Sequence, residues 1–174
     1  MNWKWSEPLR KGMVDMPFLE IHQTDLPESV VTKMPTVEDM EKAFPGKNHS
    51  LKTWGRTPGT KILDPHWIGL SGQGPLHFDP GYPRYTHHLL LIIDPKFVLR
   101  GYSKEEVELS SGLYFCMDGH SPHQLWAKER GAKWYLAVSI DSHEVLPKDE
   151  TLGKLIQYAS SAPFFAPDLE IPNA

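Results

Sequence analysis

Residues 74–94 read GPLHFDPGYPRYTHHLLLIID, and within them His77 and Asp79 stand two apart in a Pro/Gly-rich turn ahead of a dense apolar run. Imidazole and carboxylate are poor core material. Asp79 before Pro80-Gly81 is ordinary turn chemistry, so the pair is either a solvated turn or a set of ligands. Two imidazoles and one carboxylate can occupy one face of an octahedral ion and leave three positions open, the arrangement that oxygen chemistry at iron(II) requires. A closed structural zinc site would take four ligands, usually with cysteines, and the chain has one cysteine, Cys116. Spacing of two suits a strand end or turn from which both side chains point inward.

A third ligand must come from a distant strand. The segment SSGLYFCMDGHSPHQLWAKERGAKWYLAVSID offers His120 and His123. Ten residues beyond His123 lies Lys133, at the head of a strand, and ten beyond His120 lies Arg130, in a polar turn. A cation pointing inward beside a metal is a natural anchor for the far carboxylate of a bound acid, and the strand pattern puts Lys133, not Arg130, inside.

The elements that must position these residues are mostly strands. Sixteen prolines and thirteen glycines cut the chain into short pieces. Strands are expected over 66–71, 85–94, 96–101, 112–118, 123–127 and 133–141, with 103–109 either a helical turn opened by a Ser103/Glu106 capping box or a strand start. In the last strand, period 2 sets Lys133, Tyr135, Ala137 and Ser139 on a small, polar face and Trp134, Leu136, Val138 and Ile140 on an apolar one. The polar face fits a barrel interior lined for a ligand, and equally a solvent face. Helices are expected at 36–44, with Thr36 as cap, and at 148–160. The pattern is that of a mainly β chain, a sandwich, jelly roll or barrel, flanked by N- and C-terminal helices. A single domain over residues 1–174 is expected, with a core at about 62–142, a helical and loop region at 1–61 and a C-terminal helix and tail at 143–174.

Composition bounds the rest. Of 174 residues 40% are hydrophobic and 23% charged, and a net charge of -4 provides no global basic field for nucleic acid or membrane. A local basic stretch over 46–63 carries Lys47, Lys52, Arg56 and Lys61, no acids, and Trp54, and is most simply a solvated surface. One cysteine permits no intrachain disulfide and leads us to expect no disulfide-linked partner and a reducing, cytoplasmic setting. The longest strictly apolar run, 89–93, is far too short to span a bilayer, so no membrane partner is expected.

Together the residues resemble a family, the 2-oxoglutarate- and Fe(II)-dependent dioxygenases, and most closely the prolyl-4-hydroxylase branch. The resemblance covers about 67–141 and rests on the H-x-D of His77 and Asp79, the Arg84-x-Thr86 before an apolar strand, the strand led by Gly112, the distal His123, and the G-x-K-W of Gly131, Lys133 and Trp134. It departs from the family in the short interval from Asp79 to His123 and in PKFVLRGYSKEEVELSSG, which stands where the branch carries Gly-Gly-x-Thr. The resemblance implies a mainly β fold with a double-stranded β-helix (jelly-roll/cupin-like) core, that His77, Asp79 and His123 bind Fe(II) and are catalytic, and that Lys133 holds the C5 carboxylate of 2-oxoglutarate. Tyr85 and Tyr135 are candidate hydrogen-bond donors to the same acid, and either His87 or His88, on opposite faces of one strand, lines the pocket. Arg84 is a candidate for a substrate carboxylate or phosphate, or a simple strand-end charge. The implied reaction uses O2, decarboxylates 2-oxoglutarate to succinate and hydroxylates an unactivated C–H of a peptidyl, nucleobase or small-molecule substrate. The alternatives are a cupin-like metal enzyme that does not use 2-oxoglutarate, and a non-catalytic jelly-roll binding module.

Overall fold

A computed structural model of the protein describes residues 17–36, 38–39, 62–71, 76–94, 97–102, 106–128 and 134–162. The elements are β1 (Phe18–Gln23), α1 (Glu28–Val31), β2 (His66–Ser71), β3 (Tyr85–Asp94), β4 (Phe97–Gly101), β5 (Glu106–Glu108), β6 (Leu113–Asp118), β7 (His123–Ala127), β8 (Trp134–Ser142) and α2 (Lys148–Ser161). All six expected strands and the C-terminal helix fall within one residue of their predicted bounds, and the ambiguous 103–109 stretch yields the strand β5. The expected 36–44 helix lies outside the described residues beyond Asp39. Its start is visible as a reciprocal cap, in which the Asp39 N–H donates to Thr36 Oγ1 at 3.0 Å and the Thr36 N–H to Asp39 Oδ2 at 2.9 Å.

All strand pairs are antiparallel and form two sheets, a five-stranded one in the order β1-β6-β3-β8-β2 and a three-stranded one in the order β5-β4-β7. An isolated antiparallel bridge between His77 and His123 adds the 77 segment to the free edge of β7. From β2 to β8 the chain passes between the sheets, β2 and β3 on the large one with 77 between them on the small one, then β4 and β5 small, β6 large, β7 small and β8 large. That order is a double-stranded β-helix, a jelly roll.

The residues 1–61, expected as helices and loops, also contribute β1 to the large sheet, which corrects that expectation. Only Phe18 of this strand is buried, Glu20 has φ 53°, and the pairing with β6 slips between Leu19 and His22. A strand with an irregular register and a single anchor lacks the alternation that marks a strand in sequence.

Two cores share the large sheet. Leu90, Phe115, Tyr135 and Ala137 face the small sheet and meet its Phe97, Leu99 and Leu125. Leu89, Leu91, Leu136, Val138 and Ile140 face the other way, under Leu152, Leu155 and Ala159 of α2. Burying each such leucine contributes about 1.5–3 kcal/mol. The helix is therefore a lid on the apolar face of β8, and the small, polar face of Tyr135, Ala137 and Ser139 is the one inside the barrel. No helix among the described residues is long and apolar enough to cross a membrane.

Candidate metal centre

His123 opens β7, and its backbone fixes His77 beside it. The His77 N–H donates to the His123 carbonyl at 3.0 Å and the His123 N–H to the His77 carbonyl at 2.8 Å. This narrow pair sets the two imidazoles 4.5 Å apart between ring centroids, edge to face. Two residues on, the Asp79 N–H donates to the Gly119 carbonyl at 2.7 Å, which ties the second arm to the turn between β6 and β7. Asp79 then reaches both rings, with Oδ2 3.2 Å from His123 Nε2 and Oδ1 3.7 Å from His77 Nε2.

One ligand atom from each residue lies within 4.8 Å of the others. Two donors at about 2.1 Å from one ion and at right angles stand about 3.0 Å apart. The distance from His123 Nε2 to Asp79 Oδ2 is near that value, and the other carboxylate oxygen, Oδ1, stands 3.7 Å from His77 Nε2. The donor set of two imidazoles and one carboxylate therefore fits a divalent transition metal with open positions. Its exposure agrees with that: His123 is 5% exposed, while the His77 and Asp79 side chains are 36% and 34% exposed.

The His123 ring is oriented from behind. Its Nδ1 lies 2.8 Å from the Ser121 carbonyl, which can only accept, so Nδ1 donates its hydrogen there and Nε2 is the ring atom turned toward Asp79. Metal-ligating histidines hold their second N–H in this way.

The structure separates the other candidates. His120 is not in the cluster: its Nε2 lies 3.0 Å from the Tyr82 carbonyl. Tyr135 is buried inside the barrel, its hydroxyl 3.5 Å from His88 Nδ1. Period 2 places Tyr85 with His87 and Leu89 on the outer face, and the Arg84 guanidinium sits 5.3 Å from its ring centroid. Arg84 is paired within the protein, through Nη2 and Nε to the Asp118 carboxylate at 3.0–3.3 Å. Lys133, Arg130, Gly131 and the Trp54 loop lie outside the described residues.

Of the adjacent histidines, His88 faces inward. His87 faces out, with Nδ1 3.2 Å from the Ile140 carbonyl and Nε2 accepting the Leu146 N–H at 3.0 Å. Burial lowers its pKa, so it is a neutral structural ring. His88 and Ser139 belong to a polar file on the inner wall whose other members, Thr86, Asp141 and His66, were missed in sequence. Thr86 Oγ1 donates to Asp141 Oδ1 at 2.9 Å, His66 Nε2 is 3.8 Å from Asp141 Oδ2, and His88 Nδ1 is 2.7 Å from Ser139 Oγ. The signal was present as polar residues at period 2 in β3 and β8, but register alone says that they meet: Thr86 faces Asp141 and His88 faces Ser139. This file shares an end of the barrel with the His77–Asp79–His123 cluster, because Tyr85 pairs with Asp118, next to the Gly119 that binds Asp79.

No family model and no curated protein matches the chain. Among solved structures it is similar to a cupin superfamily protein from Desulfitobacterium hafniense, at 12% identity over 70% of this chain and 99% of that one, with a TM-score of 0.41. A cupin-2 domain protein from Shewanella frigidimarina matches at 13% identity over 63% and 96% of the two chains, with a TM-score of 0.40. A polyketide cyclase from Streptomyces resistomycificus matches at 14% over 63% and 83%, with a TM-score of 0.36. At these scores the likeness carries no weight of its own, and the double-stranded β-helix rests on strand order and register.

Proposed function

We propose that His77, Asp79 and His123 bind Fe(II) and that the protein is a 2-oxoglutarate-dependent oxygenase that hydroxylates an unactivated C–H. The observation that carries this reading is the convergence of Asp79 on the two Nε2 atoms, at 3.2 and 3.7 Å, at one end of the barrel. Bound iron would supply dioxygen activation coupled to decarboxylation of the co-substrate. The chain's own part is to present three donors from one side, keep the His123 lone pair directed at the ion, and leave the opposite side open. Lys133 is the proposed partner of the distal carboxylate, and Tyr135 a proposed donor to the same acid. The primary substrate class, peptidyl, nucleobase or small molecule, stays within this proposal.

A second reading, a metal enzyme that does not use 2-oxoglutarate, is favoured by one observation. Asp141 puts a carboxylate on the inner wall, and a like charge there disfavours a dicarboxylate held close to it.

Anaerobic addition of Fe(II) and then 2-oxoglutarate separates the readings. The first expects a weak visible charge-transfer band and, in air, release of succinate. Asp79→Ala and His123→Ala should each weaken Fe(II) binding by more than about 100-fold, whereas His120→Ala should leave it unchanged. Tight metal binding without the band or succinate would favour the second reading. Undiminished binding by the Asp79 and His123 variants would remove the centre altogether.

A further inference from the structure

Asp118 is 1% exposed, and an ionised carboxylate buried that deeply is costly unless it is fully engaged. It is engaged on every side. Arg84 donates to it through Nε at 3.2 and 3.3 Å and through Nη2 at 3.0 Å; the His120 N–H donates at 3.1 Å and Ser121 Oγ at 3.4 Å. The backbone repeats the connection. The Ser121 N–H donates to the Asp118 carbonyl at 3.1 Å, and the Gly119 N–H to the Arg84 carbonyl at 2.7 Å.

The turn held by these bonds is the one on which two ligands of the proposed centre depend. Gly119 supplies the carbonyl that receives the Asp79 N–H at 2.7 Å, and Ser121 supplies the carbonyl that receives the His123 Nδ1 hydrogen at 2.8 Å. Asp79 and His123 lie in separate chain segments, and the 118–121 turn is where both find their backing.

We propose that Arg84 and Asp118 form a positioning clamp: by fixing the 118–121 turn, the ion pair sets the orientation of the His123 ring and the placement of Asp79, and so the affinity of the centre for metal. This rests on the metal-binding reading above. Neither clamp residue touches the ion. Asp118 acts through Ser121 and Gly119, and Arg84 acts through Asp118, with its side chain 40% exposed, so that it can be replaced without opening the core.

The test uses the full chain, with Co(II) as the probe and its visible absorption as the readout, on wild type, Asp118→Asn, Arg84→Gln, Leu155→Ala and His123→Ala. Asp118→Asn should weaken Co(II) binding by about 10- to 100-fold and Arg84→Gln by about 10-fold, the range known for groups that orient metal ligands. Leu155→Ala, which removes core volume under α2 away from the centre, should lower the melting temperature yet leave Co(II) affinity unchanged. Solvent exchange of the His123 Nδ1 hydrogen, followed by NMR, supplies a readout that stability alone does not move. That hydrogen should exchange slowly in wild type and in Leu155→Ala, held by the Ser121 carbonyl, and faster in Asp118→Asn. Wild-type Co(II) affinity or wild-type exchange of the His123 Nδ1 hydrogen in Asp118→Asn would overturn the clamp. If that variant does not fold, the same two measurements on Arg84→Gln decide. Absence of Co(II) binding by wild type, or undiminished binding by His123→Ala, would instead overturn the metal centre and the clamp with it.

Discussion

Cys116 is fully buried in the middle of β6, and burial, with Asp118 and Glu20 adding negative charge nearby, pushes its thiol up to about 12. The thiolate is the reactive form, so at neutral pH this cysteine has almost none to offer. Ellman's reagent should titrate no thiol in the native protein and one after denaturation; prompt reaction of the native protein would mean that β6 is open to solvent. Residue chemistry of this local kind was legible in the sequence, because a lone cysteine inside an apolar strand is usually inert. So was the convergence of His77 and Asp79 with His123, through ligand type and strand order. The Arg84–Asp118 pair was not legible. The two residues are 34 apart, and only the β3–β6 register, Tyr85 against Asp118, brings the start of one strand to the end of the other.

At the scale of elements, the turn into β6 depends on Gly112. Its φ is +86°, and a Cβ there would stand 2.3 Å from the Thr24 carbonyl oxygen, a backbone atom that cannot step aside. Its own carbonyl receives the Thr24 N–H at 2.9 Å and its N–H reaches the Leu90 carbonyl at 2.8 Å, so this one residue joins the end of β1, β3 and β6. Gly112→Ala should cost about 2–4 kcal/mol, from strained φ and the displaced strand together, seen as a lower urea midpoint. A loss under about 0.5 kcal/mol would show that β1 moves away freely. Strand positions were legible because β2, β3, β6 and β8 carry clear apolar faces between turn residues. β1 was not, since its bulge interrupts the alternation, and the inward direction of the polar face of β8 was not, since a solvent face and a ligand-lined interior have the same period.

Over the whole molecule, His87 couples stability to acid. It is buried and neutral, with burial lowering its pKa from the ordinary value of about 6.5 against smaller opposing effects of the Ile140 carbonyl and Asp141. The unfolded chain therefore takes up the proton at a higher pH than the folded one. The stability this residue contributes is complete above about pH 6.5 and is lost as the pH falls from there through the lower folded value, with a slope of at most about 1.4 kcal/mol per pH unit. Urea midpoints at pH 7.5, 6 and 5 should decline for wild type and decline less for His87→Gln; equal slopes would assign the effect to another group. The reciprocal amide–carbonyl pair between His77 and His123 has a wider meaning at this scale. It closes a ring of chain spanning 123 − 77 = 46 residue steps, a closure that costs roughly 3–4 kcal/mol of configurational entropy. The barrel's own ladders offset that cost as the chain folds, so coordination is not asked to. An ion seated there would be a tenant in a finished frame, exchangeable for another of similar size while the walls stand, in contrast to small domains whose metal serves as their core.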